Sequence, residues 1–138
     1  MKAAQISGYS KEIELEWNDI PIPEVYDYDV LVKVKAAGVN PLDLLILRGR
    51  VKLIVDYQFP LTMGNELSGV VEAVGKSVTK FKVGDPVYTR LPEQHIGAFA
   101  EYAVVHEAAA AKMPASLDYA EAAAVPLTSL TAYQVLVL

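Results

Sequence analysis

The sequence contains no cysteine, and this absence excludes two kinds of structure at once. A chain without cysteine forms no disulfide, and it builds none of the thiolate sites that hold most structural zinc ions. Any metal site would have to be assembled from His, Asp and Glu side chains. Only two histidines are present, His95 and His106, and they are far apart in the sequence.

Long apolar runs and clusters of positive charge are also scarce. No apolar run reaches the length of a membrane span, and the N-terminal residues lack the apolar core of a signal peptide. With 12 Lys and Arg against 17 Asp and Glu, the net charge is −5, and the strongest basic cluster, Arg-Gly-Arg-Val-Lys at 48–52, is short. We therefore expect a cytoplasmic protein with no nucleic-acid partner and no membrane partner.

The sequence does contain a valine-rich stretch punctuated by glycine, residues 64–75, around which the other elements can be arranged. Glycines spaced through a valine-rich run predict a strongly bent or bulged strand, as at the corner of a barrel. The chain has 138 residues, of which 53% are hydrophobic, and this is enough for one domain with a real core.

Alternating and valine-rich patterns on both sides of this stretch predict the other strands of a small β-barrel. The clearest strand is 29–39, in which Val30, Val32 and Val34 share one face. Residues 12–17 alternate Ile, Leu and Trp with glutamate, which predicts a half-buried strand with one wet face. Further strands are predicted at 3–6, 67–74, 86–89, 98–105 and 108–112.

Helices are predicted at three places. Asn40 directly before a proline has the pattern of an N-cap, and it predicts a helix over 41–47. Three of its apolar residues are expected to face inward: Leu42, Leu45 and Ile46. Ser116 is predicted to cap a helix over 117–124, and Thr128 or Ser129 a last helix over 130–138.

Five side chains are candidate metal ligands: Asp43, Glu66, Glu93, His95 and His106. Zinc usually requires His or Cys in a defined spacing, and these residues are scattered. We therefore expect no metal site, with His95 exposed in a loop and His106 exposed at the end of a strand.

Two of the carboxylates have structural interpretations. Glu66 stands among apolar residues, and a buried carboxylate must be paired or neutral. We expect it to support the fold by accepting hydrogen bonds or by pairing with an arginine such as Arg48. Asp43, one helical turn from Asn40, is expected to cap the helix or to orient Asn40. No Gly-x-Gly-x-x-Gly follows a strand, so the residues carry no dinucleotide fingerprint.

Several motifs follow one another in order along the chain. They are Ala-Ala-Gly-Val-Asn-Pro-Leu-Asp (36–43), Arg-Gly (48–49), Phe-Pro (59–60), the stretch 64–75, Gly-Asp-Pro-Val (84–87), Gly-Ala-Phe-Ala-Glu-Tyr (97–102), and the segments 122–127 and 130–133. Taken together, these motifs resemble the N-terminal, GroES-like catalytic domain of the medium-chain dehydrogenase/reductase superfamily, and most of all its zinc-independent quinone oxidoreductase branch. The resemblance implies a mainly β (α+β) fold, a partly open β-barrel with short flanking helices over 1–125. A junction helix over 126–138 would lead to a Rossmann domain that is absent from these residues.

The residues that differ from the zinc alcohol dehydrogenases of this superfamily indicate the branch. Those enzymes carry a catalytic cysteine where this chain has Asn40 and a histidine where it has Asn65, whereas Glu66 matches. Without those ligands the Lewis acid is lost, so the resemblance implies no metal. Leu44, Leu45 and Ile46 stand where quinone reductases often place a tyrosine, which implies a more apolar pocket.

The resemblance also assigns the site residues and the cofactor. It implies that Asn40 lies near the nicotinamide and donates a hydrogen bond to a substrate oxygen that gains charge, and that Thr131 lies near the cofactor. The expected reaction is hydride transfer from NADPH to a quinone or an α,β-unsaturated carbonyl, in a homo-oligomer. This chain alone is expected to be inactive, because the nucleotide domain would hold the cofactor.

Two other functions remain open at this stage. The first is a zinc alcohol dehydrogenase that uses substitute ligands such as Glu66. The second is a non-catalytic GroES-like binding module that stands by itself.

The last residues, 135–138, are apolar and are followed by no helix cap. We expect the isolated chain to associate through this surface, because an unpartnered apolar patch favours association. Sedimentation measured over a range of concentrations should show growing assemblies. A clean monomer at high concentration would contradict this expectation.

Overall fold

A computed structural model describes the whole chain, residues 1–138, as eight strands and three helices. The strands are β1 (Lys2–Ile6), β2 (Glu16–Asp19), β3 (Asp29–Gly38), β4 (Leu61–Thr62), β5 (Glu66–Val74), β6 (Pro86–Arg90), β7 (Tyr102–His106) and β8 (Ala110–Lys112). The helices are α1 (Pro41–Leu47), α2 (Tyr119–Ala123) and α3 (Pro126–Leu136). None of these helices combines the length and the apolar character needed to cross a bilayer.

Every strand pair is antiparallel, and the strands form two sheets. The larger sheet has the order β7-β3-β5-β6-β8 and the smaller one β2-β1-β4, and a bridge between Ala3 and Ala100 joins them. Two register shifts interrupt the β3–β5 ladder, and such irregularities bend a strand and increase its twist. The sheets therefore curl into the partly open barrel that the resemblance implied, and the predicted fold class is confirmed.

Two apolar clusters fill the barrel and its end. The larger one lies inside the five-stranded sheet and includes Val30, Val32 and Leu67, all fully buried. The smaller one lies beneath α1, where Ile46 packs with residues of β1 and of the segment before β5. Phe99 packs against both clusters. As a result, the short helix α1 is held against the end of the barrel by side-chain packing.

The predicted strand at 12–17 is wrong in its extent and in its burial. β2 begins only at Glu16, and Ile13, Leu15 and Trp17 are all exposed, Trp17 by 73%. β2 is an edge strand that pairs with β1 alone, and no layer of the structure covers its outer face. The alternating pattern therefore indicated a strand near these residues, but the buried face that it also predicted is absent. Similarly, the strand predicted at 98–105 is regular only from Tyr102.

The helix bounds 41–47 are confirmed, but one of its inward residues is not. Leu45 is 45% exposed, and Leu47 is buried in its place beside Ile46. The backbone N–H of Arg50 donates to the Leu45 carbonyl at 2.8 Å and closes the turn that follows the helix.

Both later helices begin at other residues than predicted. Asp118, not Ser116, caps α2, because its carboxylate accepts the Glu121 backbone N–H at 2.8 Å and the Glu121 side chain caps Asp118 in return. α3 begins at Pro126, where a proline loses no intrahelical bond. Thr128 caps nothing, since its hydroxyl donates to the Ala124 carbonyl at 3.1 Å.

Glu107 ties the end of β7 to the turn before β6. One of its carboxylate oxygens accepts the backbone N–H groups of Thr79 and Lys80, both at 2.9 Å. These two hydrogen bonds hold the pKa of Glu107 below its ordinary value. A carboxylate whose pKa is lowered by folding stabilises the protein above its unfolded pKa, and this contribution is lost as the pH falls through the folded pKa.

We therefore expect acid to lower the unfolding temperature of the protein less in a Glu107→Gln variant than in the unchanged chain. The measurement is thermal unfolding from neutral pH down to well below 4.5, the ordinary pKa of this carboxyl. Glu72→Gln, on an exposed part of β5, is the matched control. Identical acid sensitivity in the unchanged chain and in Glu107→Gln would contradict the assignment.

Candidate active site

A single buried carboxylate, that of Glu66, joins three elements of the fold. Glu66 begins β5 and is only 1% exposed. One of its oxygens, Oε1, accepts the side-chain Nδ2 of Asn40 at 2.7 Å, and Oε2 accepts the backbone N–H of Leu127 at 2.7 Å. The start of α1 and the first turn of α3 are therefore fixed to the same strand.

The predicted pairing of Glu66 with Arg48 is wrong. Arg48 is exposed at the end of α1, and Glu66 makes no ion pair. Neutral N–H donors satisfy both carboxylate oxygens instead. The expectation that Glu66 supports the fold by accepting hydrogen bonds is confirmed.

Asp43 forms the second half of this polar network. Its Oδ2 accepts the backbone N–H of Asn40 at 2.7 Å, which makes the capping box of α1, and its Oδ1 accepts the side-chain Nδ2 of Asn65 at 2.7 Å. Burial raises the pKa of Asp43 above its ordinary value, although both hydrogen bonds oppose this and the nearby Glu66 adds to it. Asp43 therefore both caps the helix and helps to position Asn40.

These contacts determine how the Asn40 amide is presented. The residue is 7% exposed, and an ionised carboxylate only accepts hydrogen bonds, so the amide nitrogen must face Glu66. A side-chain amide nitrogen carries two N–H groups, and Glu66 takes one of them. The second has no partner within the chain, which leaves one oriented donor at the start of α1.

Two glycines make room for this arrangement. A Cβ on Gly38 would collide with the Glu66 carboxylate and would lie 2.9 Å from the Ala123 carbonyl oxygen. Gly64 has φ +98°, and a side chain there would come within 2.5 Å of the Phe99 ring. The glycine in front of Asn65 and Glu66 therefore serves close packing at a positive φ.

Thr131, the second predicted site residue, is exposed on α3 and lines a cavity of about 640 Å³ between that helix and β6. Its hydroxyl donates to the Leu127 carbonyl at 2.8 Å. Because the N–H of the same Leu127 bonds to Glu66, a short chain of hydrogen bonds links Asn40 to Thr131. Leu42, in the first turn of α1, also lines this cavity, whereas Asn40 does not.

A smaller cavity of about 150 Å³ adjoins the first and shares Leu42, Arg90 and Glu93 with it. Tyr57 and Asn65 also line it. The Tyr57 hydroxyl donates to the Glu93 carbonyl at 2.9 Å, and burial raises the Tyr57 pKa. Most of its other lining residues are aliphatic. Of the three residues of α1 from which an apolar pocket was expected, only Ile46 lines this cavity, whereas Leu44 and Leu45 are exposed.

Sequence reasoning missed Tyr57 and Arg90, and it considered Glu93 only as a candidate metal ligand. Tyr57 lies in an irregular segment before β4, where no periodic pattern indicates which side chains point inward. Arg90 and Glu93 form an ion pair at 3.7 Å across the end of β6. The only sequence signal was their position just after a predicted strand, three residues apart.

The remaining metal candidates do not come together. His95 and His106 are exposed as expected, and His106 accepts the Ala108 backbone N–H at its Nδ1, 3.1 Å away. Both histidines line a different cavity, beside β7. No group of three or more His, Cys, Asp or Glu side chains is arranged to hold a metal ion.

Comparison with known proteins identifies the family. The family model of the alcohol dehydrogenase GroES-like domain matches residues 26–115, so the chain belongs to this family. Among its relatives are a chloroplastic quinone-oxidoreductase homolog of Spinacia oleracea, 36% identical over 137 residues, and a chloroplastic NADPH-dependent alkenal/one oxidoreductase of Arabidopsis thaliana, 38% identical over 145. The matches cover 99% of this chain in both cases, and 42% and 37% of the relatives.

A solved structure supports the same assignment. The quinone oxidoreductase of Escherichia coli, determined with NADPH, matches 99% of this chain with a TM-score of 0.88 and 26% identity, over 40% of its own length. The chain thus spans about two fifths of the length of these relatives. The resemblance to the quinone oxidoreductases of the medium-chain dehydrogenase/reductase superfamily is confirmed.

We expect Asp43→Asn to destabilise the protein by about 1–3 kcal/mol, because an amide places an N–H donor against one of two buried N–H donors. The free energy of unfolding by urea measures this loss. Asp56→Asn, an exposed aspartate with one long hydrogen bond from Tyr9, is the control and should stay close to the unchanged chain. An unchanged stability in Asp43→Asn would contradict the network.

Proposed function

We propose that this chain is the N-terminal catalytic part of an NADPH-dependent oxidoreductase that reduces quinones or α,β-unsaturated carbonyls. The observation that carries the proposal is the Asn40 amide, buried at the start of α1 and oriented by Glu66 with one N–H uncommitted. Relatives named quinone oxidoreductase and alkenal/one oxidoreductase support the substrate class.

We also propose a division of the chain into two parts. We place the catalytic domain at 1–125 and the junction helix at 126–138, which agrees with the start of α3 at Pro126. The bond from Leu127 to Glu66 fixes that junction to the barrel. A nucleotide-binding domain beyond the helix would complete the enzyme.

The residues beside the larger cavity suit the nicotinamide end of the cofactor. This cavity combines apolar walls from Leu42 and Leu127 with polar groups of Arg90 and Thr131, a set that can take both a flat ring and an amide. NADPH, when bound, supplies a hydride. Asn40 does not line this cavity, but it stands two residues before Leu42, which does, and from there it would donate its free N–H to the substrate oxygen that gains negative charge.

We propose that this activity uses no metal. Amide side chains stand at the two positions where the resembling zinc enzymes carry cysteine and histidine, and both are engaged with neighbouring carboxylates. Metal analysis of the purified protein tests this, and stoichiometric zinc would overturn it in favour of the zinc alcohol dehydrogenase. The homo-oligomer and the cytoplasmic location stay predictions.

The deciding experiment is NADPH oxidation by the full-length protein across a panel of quinones and enones. Turnover with these acceptors and none with simple alcohols plus NADP⁺ is expected. Alcohol oxidation without quinone turnover would overturn the proposal. Absence of any turnover, together with no binding of NADPH, would favour the non-catalytic binding module.

In the full-length enzyme, Asn40→Ala should lower kcat by roughly a hundredfold, the usual effect of removing one preorganised donor to a developing oxyanion. The dissociation constant of NADPH should change much less, because the nucleotide domain would hold most of the cofactor. Stopped-flow turnover and fluorescence titration measure the two quantities.

Asn18→Ala is the matched control, since Asn18 donates its side-chain amide only to Gln5, away from the site. It should leave both quantities unchanged. Equal losses of kcat and of NADPH affinity in Asn40→Ala, or no loss, would refute the role of Asn40. Unfolding temperatures of both variants separate this effect from a loss of stability.

A further inference from the structure

The turn after α1 combines strong exposure of apolar side chains with positive charge. We call residues 48–54, Arg-Gly-Arg-Val-Lys-Leu-Ile, the basic tip. Leu53 is fully exposed and Ile54 is 78% exposed. Arg48, Arg50 and Lys52 are exposed on the same turn. In a chain of net charge −5, this is the densest cluster of positive charge.

The backbone of the basic tip is held in place by hydrogen bonds. Gly49 has φ +66° and donates to the Ile46 carbonyl, and the Ile54 N–H donates to the Val51 carbonyl at 2.8 Å. Lys52 lies over the ring of Tyr9, 5.7 Å from its centroid. Because these hydrogen bonds fix the backbone of the turn, Leu53 cannot become buried in the core unless some of them break.

The inner side of the same turn forms a wall of the candidate site. Val51 and Val55 line the cavity of about 150 Å³ that Tyr57 and Asn65 close from the other side, and Ile54, which is 78% exposed, lies at its rim. An apolar path therefore runs from the exposed tip to the polar network around Asp43.

We propose that the basic tip binds the surface of an anionic phospholipid bilayer, with Leu53 and Ile54 inserted among the lipids and the three basic residues at the headgroups. Apolar residues flanked by Lys and Arg are the combination that binds peripherally to such surfaces, and each basic residue adds to the attraction. This departs from the expectation of no membrane partner, which rested on the absence of a membrane-spanning segment.

The proposal rests on the proposed function and deepens its substrate class. A bilayer in contact with the basic tip lies next to the apolar wall of the site, so the enzyme would take substrates dissolved in the lipid. Long-chain quinones and lipid-derived enones are of this kind. Water-soluble quinones would reach the same site without the membrane.

The test is sedimentation of the full-length protein with vesicles of phosphatidylcholine alone and vesicles that also contain phosphatidylglycerol. The protein should bind the anionic vesicles and only weakly the neutral ones. The double variant Arg50→Gln/Lys52→Gln should bind the anionic vesicles roughly thirtyfold less tightly. Leu53→Ser should bind roughly tenfold less tightly. Neither variant changes a residue that lines any of the three cavities described above.

The turn before β6 offers a matched control, since it also carries two exposed lysines and an exposed valine. Lys80→Gln/Lys82→Gln and Val83→Ser should bind vesicles as the unchanged protein does. Equal losses in these variants would show non-specific attraction and overturn the proposal. Absence of binding to anionic vesicles, or equal binding to neutral ones, would also overturn it.

Turnover of a water-soluble quinone separates this proposal from the proposed function. Leu53→Ser should keep the kcat and KM of the unchanged protein for that substrate. A raised KM in this variant would mean that the tip contacts the substrate or another part of the protein, which would overturn the membrane proposal. Failure of the proposed function would appear differently, as vesicle binding without turnover of any quinone or enone.

Discussion

The structure depends on one buried carboxylate that must not be left without partners. A charged oxygen removed from water is costly unless hydrogen bonds replace the lost hydration. Glu66 obtains these from Asn40 and from the backbone of Leu127, which belong to elements far apart in the sequence. The need to satisfy one side chain therefore brings the start of α1 and the start of α3 together at the end of β5.

Asp43, the second carboxylate of the network, likewise joins separate elements, and its partners are closer to it in the sequence. Asp43 holds the backbone of Asn40 and the side chain of Asn65, so the four residues restrict one another. A fully satisfied buried network of this kind is rigid, since moving one member leaves another unpaired. This rigidity is what a catalytic amide requires, because a donor that is already oriented needs no reorganisation when charge develops.

Much of the barrel could be predicted from the sequence because its strands obey local rules. The valines of β3 and the glycine-punctuated run of β5 indicated their own burial, and Asn40 before Pro41 indicated the start of α1. The prediction failed where the outcome depends on what covers an element. Trp17 alternates with charges as a core residue would, but β2 lies at an edge with nothing packed over it.

In the candidate site, too, local sequence indicated some features, and others depend on contacts between distant parts of the chain. The apolar residues around Glu66 in the sequence indicated that its carboxylate needed partners. An arginine was the wrong choice, because the sequence does not show which backbone N–H groups come near a side chain. Tyr57 reaches the smaller cavity from an irregular segment, and its direction follows from tertiary packing with Glu93. Long-range contacts of this kind become visible only when the chain is folded.

The hydrogen bond between Glu66 and Leu127 also determines which amino acid substitutions the attachment of α3 to the barrel tolerates. The donor is a main-chain amide, which every amino acid except proline provides. The side chain at position 127 is therefore not needed for the attachment of the helix to the barrel, and what restricts it is the larger cavity that Leu127 lines. The attachment depends instead on the acceptor and on Gly38, whose missing side chain leaves room for it. A junction built in this way lets the surface of α3 change to suit another domain without loosening the site beneath it.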